Sequence, residues 1–108
     1  MADNQVMVIV STQCQPQDDE KFNKWYNEVH IPMLLKFKGL KGVSRYKSIS
    51  EASKLPRYIA MYKFGSLKDY EEYEKSPELS AAIKDMQETW GKQVELVSRV
   101  QYELIKEW

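Results

Sequence analysis

Phe22-Asn23-Lys24-Trp25-Tyr26-Asn27-Glu28-Val29-His30-Ile31-Pro32-Met33-Leu34-Leu35-Lys36-Phe37 carries more information about the architecture than any other segment of the chain. Phe22, Trp25, Tyr26, Val29 and Met33 recur at i, i+3, i+4, i+7 and i+11, the spacing of one apolar helical stripe. Lys21, Lys24, Asn27 and Glu28 fall on the opposite side. Pro32 disturbs this pattern, because it has no N–H and its ring meets the carbonyl four residues back, at Glu28. It also pushes Ile31 away from the α region. A kink or restart is therefore expected near His30-Ile31, with Met33 to Phe37 as a short second segment that Gly39 ends. His30, the only histidine of the chain, stands just before that break.

Strands flank this helix. Gln5 to Thr12 is a continuous, β-branched apolar run, the pattern of a central strand covered on both faces. Gln15-Pro16-Gln17 ends it, and Asp18 or Asp19 is placed to cap the helix. Gly42 to Ser50 alternates, with Val43, Arg45, Lys47 and Ile49 on one face and Ser44, Tyr46 and Ser48 on the other. Glu51 to Leu55 reads as a polar turn leading to Pro56, and Arg57 to Phe64 as an aromatic, nearly continuous strand.

The second half repeats the order. Ser66-Leu67-Lys68-Asp69 resembles a capping box, with Leu67, Tyr70 and Glu74 marking one side of a short helix. Ser76-Pro77 restarts it, serine as cap and proline at the tolerated first position. Leu79, Ala82, Ile83, Met86 and Trp90 then form a helical stripe, and Gly91 stops it. Val94 to Ile105 alternates as a long strand, with Val94, Leu96, Ser98, Val100, Tyr102 and Leu104 on one face. The β-α-β order occurs twice, which predicts an α+β, ferredoxin-like βαββαβ domain spanning residues 1–108. Its four-stranded antiparallel sheet would carry two helices on one face. The other face, with Met7, Ile9, Val97, Ile105 and strand aromatics, would be a large apolar patch. A symmetric homodimer packing sheet on sheet would cover it.

Composition narrows the function classes. Lysine plus arginine and aspartate plus glutamate number 16 each among the 108 residues, so no net field draws the chain to nucleic acid or anionic lipid. The aromatics on the sheet lack an RNP pattern for RNA stacking. Neither a signal peptide nor a membrane-length apolar run is visible, and Cys14 is alone, which together predict a soluble cytoplasmic protein.

One histidine and one cysteine cannot furnish a zinc ligand set, and no calcium-loop spacing or glycine-rich phosphate loop occurs, so no metal or organic cofactor is expected. Cys14 has no activating context for a Cys–His pair. His30 is the natural proton donor or acceptor. Two roles are open to it: facing a ligand, or serving structurally by capping the Pro32 break. Tyr26, Tyr46, Tyr58, Tyr62, Trp90 and Tyr102 suit the walls of a pocket for a flat organic molecule, and equally a core or an interface. Arg45 suits a carboxylate or phenolate, or a surface ion pair.

Phe22-x-x-Trp25-Tyr26-x-x-x-His30-x-Pro32-Met33-Leu34, followed by Gly39 to Tyr46, resembles the EthD-like group of dimeric α/β-barrel proteins. Tyr58 to Phe64 and Ser76-Pro77-Glu78 through Trp90 are similar to the matching second half. The resemblance implies a ferredoxin-like protomer whose dimer forms a barrel, with a pocket between helices and sheet in each subunit, and it places the motif's histidine at His30. The wider superfamily includes cofactor-free monooxygenases, isomerases and cyclases. Its haem-degrading members carry their histidine on the second helix, unlike this chain. The leading expectation is a small cofactor-independent enzyme acting on an aromatic or enol-type metabolite. His30 would shuttle a proton, Tyr46 or Tyr62 would orient a substrate oxygen, and Tyr26, Met33, Leu34 and Trp90 would wall the pocket. The competing expectation is a non-catalytic dimeric protein, stress-associated or otherwise, that binds a small molecule in the same pocket.

Overall fold

The alternation of β1 (Val6–Cys14) sets the two sides of the molecule. Val6, Val8, Thr12 and Cys14 are buried under the helices, while Met7 and Ile9 on the other side stay half-buried. The computed structural model describes residues 4–50 and 56–108; the polar turn expected over Glu51 to Leu55 lies outside them. After β1 come α1 (Asp19–Trp25), a π-helical turn (Tyr26–His30), α2 (Ile31–Leu34), β2 (Leu40–Lys47) and β3 (Tyr58–Phe64). Then follow α3 (Leu67–Glu74), α4 (Pro77–Thr89) and β4 (Val94–Glu103). The sheet has the order β2-β3-β1-β4, every pair antiparallel, with the helices on one face. This is the ferredoxin-like arrangement.

Pro32 does not break the first helix. His30 and Ile31 both keep right-handed helical angles, and the Ile31 N–H reaches back five residues to the Tyr26 carbonyl. That wider turn takes up the proline ring that a tight α-turn would drive into Glu28. It also resets the stripe. In an α-helix, each step of four residues overshoots a full turn by about 40°. The π turn undershoots and cancels the drift, so Phe22, Tyr26, His30 and Leu34 all face the sheet, at 0%, 2%, 6% and 1% exposure. Val29, expected in the stripe, is 41% exposed instead.

Other local expectations need smaller corrections. Asp18 and Asp19 cap nothing; Asp19 instead accepts from the Cys14 thiol at 3.2 Å and pairs with Arg57 at 2.8 Å. Ser66 and Ser76 do cap their helices, each accepting a backbone N–H at 3.1 Å. The buried side of α3 is Tyr70 and Tyr73, and Leu67 is exposed. Gly91 closes α4 with φ +53°, a left-handed conformation that favours glycine.

The largest departure is in β4. Its register against β1 slips between Ser11 and Thr12: Ser11 pairs with Ser98 but Thr12 with Leu96, leaving Val97 as a bulge. A one-residue bulge reverses the facing of everything beyond it. Val94 and Leu96 lie on the helix side, as do Arg99 and Gln101, paired with Val10 and Val8. Ser98, Val100 and Tyr102 lie on the bare side. The alternating face read from Val94 to Leu104 is thus split in two. Among the described residues no helix covers the bare side, where Tyr46, Val100 and Tyr102 are 55%, 40% and 50% exposed, so β1 is a central strand covered there on one face only.

The reset stripe has a direct test. Phe22→Ala should cost about 3–5 kcal/mol by emptying a filled core site, while Val29→Ala should change stability by less than about 0.5 kcal/mol. Urea unfolding midpoints of the two variants distinguish this from the simple α-helical stripe, in which both would be costly.

Candidate functional site

Between the helices and the sheet lies a cavity of about 140 Å³. The first helix contributes Tyr26, His30 and Leu34, β1 contributes Val8, Val10 and Thr12, and β3 contributes Tyr62. Tyr73 of α3, Leu79, Ile83 and Met86 of α4, and Leu96 and Arg99 of β4 complete the wall. Most of this lining is aliphatic, and a few polar atoms converge on it, as ligand pockets require.

His30 sits here because the π turn brings it onto the sheet-facing side. Its ring stacks on Trp25, centroids 4.9 Å apart, and lies 4.8 Å from Tyr26. Its Nδ1 is buried with no hydrogen-bond partner among the described residues, and the ring caps neither helix segment. Burial lowers its pKa from 6.5 to about 4, with Arg45 adding to the effect and Asp85 opposing it. The imidazole is therefore neutral at pH 7, with an unused polar edge. Asp85 itself is engaged elsewhere, accepting from Trp25 Nε1 at 3.2 Å and from Thr89 Oγ1 at 3.4 Å.

Beside His30 the hydroxyls of Tyr26 and Tyr62 hydrogen-bond to each other, tying the helix to β3. Burial raises the pKa of both phenols, that of Tyr62 well above its ordinary value. One hydroxyl donates within the pair, so the acceptor's own proton stays free for a ligand oxygen. Arg45, expected at a carboxylate or on the surface, does neither. Its guanidinium lies 4.2 Å over the Tyr26 ring and donates to Asn27 and Asn23 at 2.9 Å each. It braces the tyrosine from behind.

The structure thus brings together Tyr26, His30, Leu34 and Tyr62 from the sequence-based set. Tyr46 points to the bare side of the sheet and cannot reach the cavity. Trp90 is buried against Phe22 and Trp25 rather than on the cavity wall, and Met33 packs half-buried on the core. Val8, Val10, Thr12, Leu79, Ile83, Met86 and Leu96 also line the cavity without having been singled out for it, as do Tyr73 and Arg99. Tyr73 could have been found from its spacing to Tyr70; Arg99 could not, because only the bulge turns it inward. Cys14 is no nucleophile, since burial and the nearby Asp19 hold its thiol protonated up to about pH 11. Among the described residues, no three His, Cys, Asp or Glu side chains group as a metal site, and no helix is long and apolar enough to cross a membrane.

Several solved structures share this architecture. An EthD family protein from Bacillus halodurans superposes with a TM-score of 0.71 at 16% identity, covering 94% of this chain and 99% of that one. A protein from Bordetella bronchiseptica, proposed to be an antibiotic biosynthesis monooxygenase, gives 0.71 at 16% identity, covering 96% and 100%. A dimeric protein of unknown function and ferredoxin-like fold from Bacteroides fragilis gives 0.65 at 19% identity, covering 96% and 100%. At these identities the likeness is one of fold, and it bears out the ferredoxin-like fold that the EthD-like resemblance implied. No curated protein matches the chain by sequence. The profile of a family described as Domain of unknown function (DUF4286) matches residues 5–104, nearly the whole chain, and the protein therefore belongs to the DUF4286 family.

Proposed function

We propose that this protein is a small homodimeric enzyme that moves a proton on a single-ring aromatic or enol-type metabolite, without metal or organic cofactor. The observation that carries the reading is the placement of His30 on the wall of an apolar cavity, beside the Tyr26–Tyr62 pair and with its buried Nδ1 unpartnered among the described residues. A cavity near 150 Å³ lined by aliphatic side chains holds one benzene-sized molecule, and this one measures about 140 Å³. A ligand ring fits the aliphatic half, and its oxygen meets the free tyrosine hydroxyl. His30 accepts the proton of an acidic enol or activated C–H; the electron pair left behind settles on the ligand oxygen, stabilised by that hydroxyl. His30 then returns the proton to another ligand atom. A pKa of about 4 makes His30 a weak base, so the transfer depends on the tyrosine hydroxyl stabilising the charge that develops on the ligand oxygen.

The same low basicity favours the second reading, a pocket that binds without turnover. One assay separates the two. Keto–enol interconversion of phenylpyruvate, followed by loss of enol absorbance, should be accelerated by the wild-type protein. In His30→Gln the acceleration should drop by about 100-fold or more. Saturable binding with no acceleration in the wild type would establish storage or sensing, and an unchanged rate in the variant would remove His30 from the chemistry.

The dimer part of the reading rests on the bare sheet face and on the dimeric state of the Bacteroides fragilis protein of this fold. Sedimentation at micromolar concentration should give twice the 12.8 kDa chain mass. Val100→Glu, which puts a charge in the middle of that face, should return the mass to that of one chain.

His30 also links stability to pH. Its folded pKa lies below its unfolded value, so the unfolded chain binds more protons between about pH 6.5 and pH 4. Its contribution is full above pH 6.5 and is lost on acidification, by about 3 kcal/mol once pH 4 is reached. Urea unfolding across this window should show wild type losing that much more stability than His30→Gln.

A further inference from the structure

We infer that the ligand of this pocket is a single-ring carboxylate and that Arg99 is the residue that selects its charge; the inference rests on the pocket reading above. Arg99 lines the cavity because the Val97 bulge places it, with Leu96, on the helix side of β4, opposite Val10. The ion pairs of the described residues are Arg57–Asp19 and Lys84–Glu88, so Arg99 has no carboxylate partner there. Its guanidinium lies over the face of Tyr70, 5.9 Å from the ring centroid. Tyr70 is fixed in turn by Gln101, whose Nε2 donates to its hydroxyl at 2.9 Å. An arginine side chain carries five N–H donors in a planar fork suited to a carboxylate.

Charge around the cavity points the same way. Among the described residues no aspartate or glutamate lines it, and the tyrosines there stay neutral because burial raises their pKa values. The neutral His30 adds no positive charge, and Arg45 is occupied by two asparagines and the Tyr26 ring. Arg99 is thus the single net charge on the wall. Partial burial in an aliphatic setting screens it less than a surface charge, which strengthens its pull on an anion. The carboxylate would sit against Arg99 near the β4 side, leaving the ring between the aliphatic walls and its reactive oxygen toward Tyr26 and Tyr62.

The test uses two probes of equal shape and different charge, benzoate and benzamide, titrated calorimetrically into the full chain. Wild type should bind benzoate at least about tenfold more tightly than benzamide, the size of one charge-assisted hydrogen-bonded pair. Arg99→Gln should bring the two affinities within about twofold by weakening benzoate alone, and Arg99→Lys should keep part of the preference. A thermal melt like that of wild type shows that each variant is folded. If Arg99→Gln retains the preference, or if wild type binds both probes equally, the charge-selecting role is overturned while the pocket stands. If wild type binds neither probe, the pocket reading falls and the inference falls with it.

Discussion

A helix that must carry Pro32 and still present Phe22, Tyr26, His30 and Leu34 to one sheet is the constraint on which the rest of this structure depends. The two demands conflict in a regular α-helix, where the proline ring clashes and steps of four drift around the axis. The π turn over Tyr26–His30 meets both. Without it Val29 would share the buried face and His30 would slide toward its edge. With it, an imidazole enters a site where burial removes its charge, and Tyr26 lies close enough to Tyr62 to lock helix to sheet. Wide turns of this kind are frequent at functional sites because they re-aim a side chain without ending the helix.

A second irregularity complements the first from the other side of the cavity. The π turn adds a residue to a helix, and the Val97 bulge adds one to a strand; each re-aims the side chains that follow it. One delivers His30 and Leu34, the other Arg99, with Leu96 just before the shift. A regular helix over a regular strand would fill this space with Val29 or Met33 and would turn Arg99 outward to solvent. His30 and Arg99 therefore owe their places in the pocket to two local departures, each set in an otherwise plain α+β scaffold.

The scaffold was legible in the sequence because its signals are local and mutually consistent. Ser66, Ser76 and Gly91 mark helix ends by hydrogen bonding and backbone freedom, and the period-2 and period-3.6 runs fix element type. The departures were less legible. Pro32 announced trouble at the right place, but propensity alone could not choose between a break and a wider turn, since tertiary packing of Tyr26 and His30 decides it. The bulge left only a faint trace, the consecutive apolar Leu96-Val97 followed by Ser98, and the shift itself is imposed by pairing with Ser11 and Thr12 of β1. Tyr46 was assigned to the pocket although it alternates with Arg45. Only one of the two could face the helices, and the pair of asparagines on α1 and the π turn captured the arginine.

That capture has a consequence for the chemistry. With Arg45 engaged behind the Tyr26 ring, its charge stabilises the aromatic face and also discourages protonation of His30. The His30 side of the cavity is thereby kept neutral, while the cation on the opposite wall, Arg99, has no acidic neighbour among the described residues lining the cavity to quench it. A neutral base and a separated cation form a sound arrangement for handling a proton on an anionic ligand. If His30 were the charged group, it would attract the ligand's carboxylate itself and lose the lone pair needed to accept a proton. In the proposed reaction, separating attraction from proton transfer would let each group keep the protonation state that its task requires.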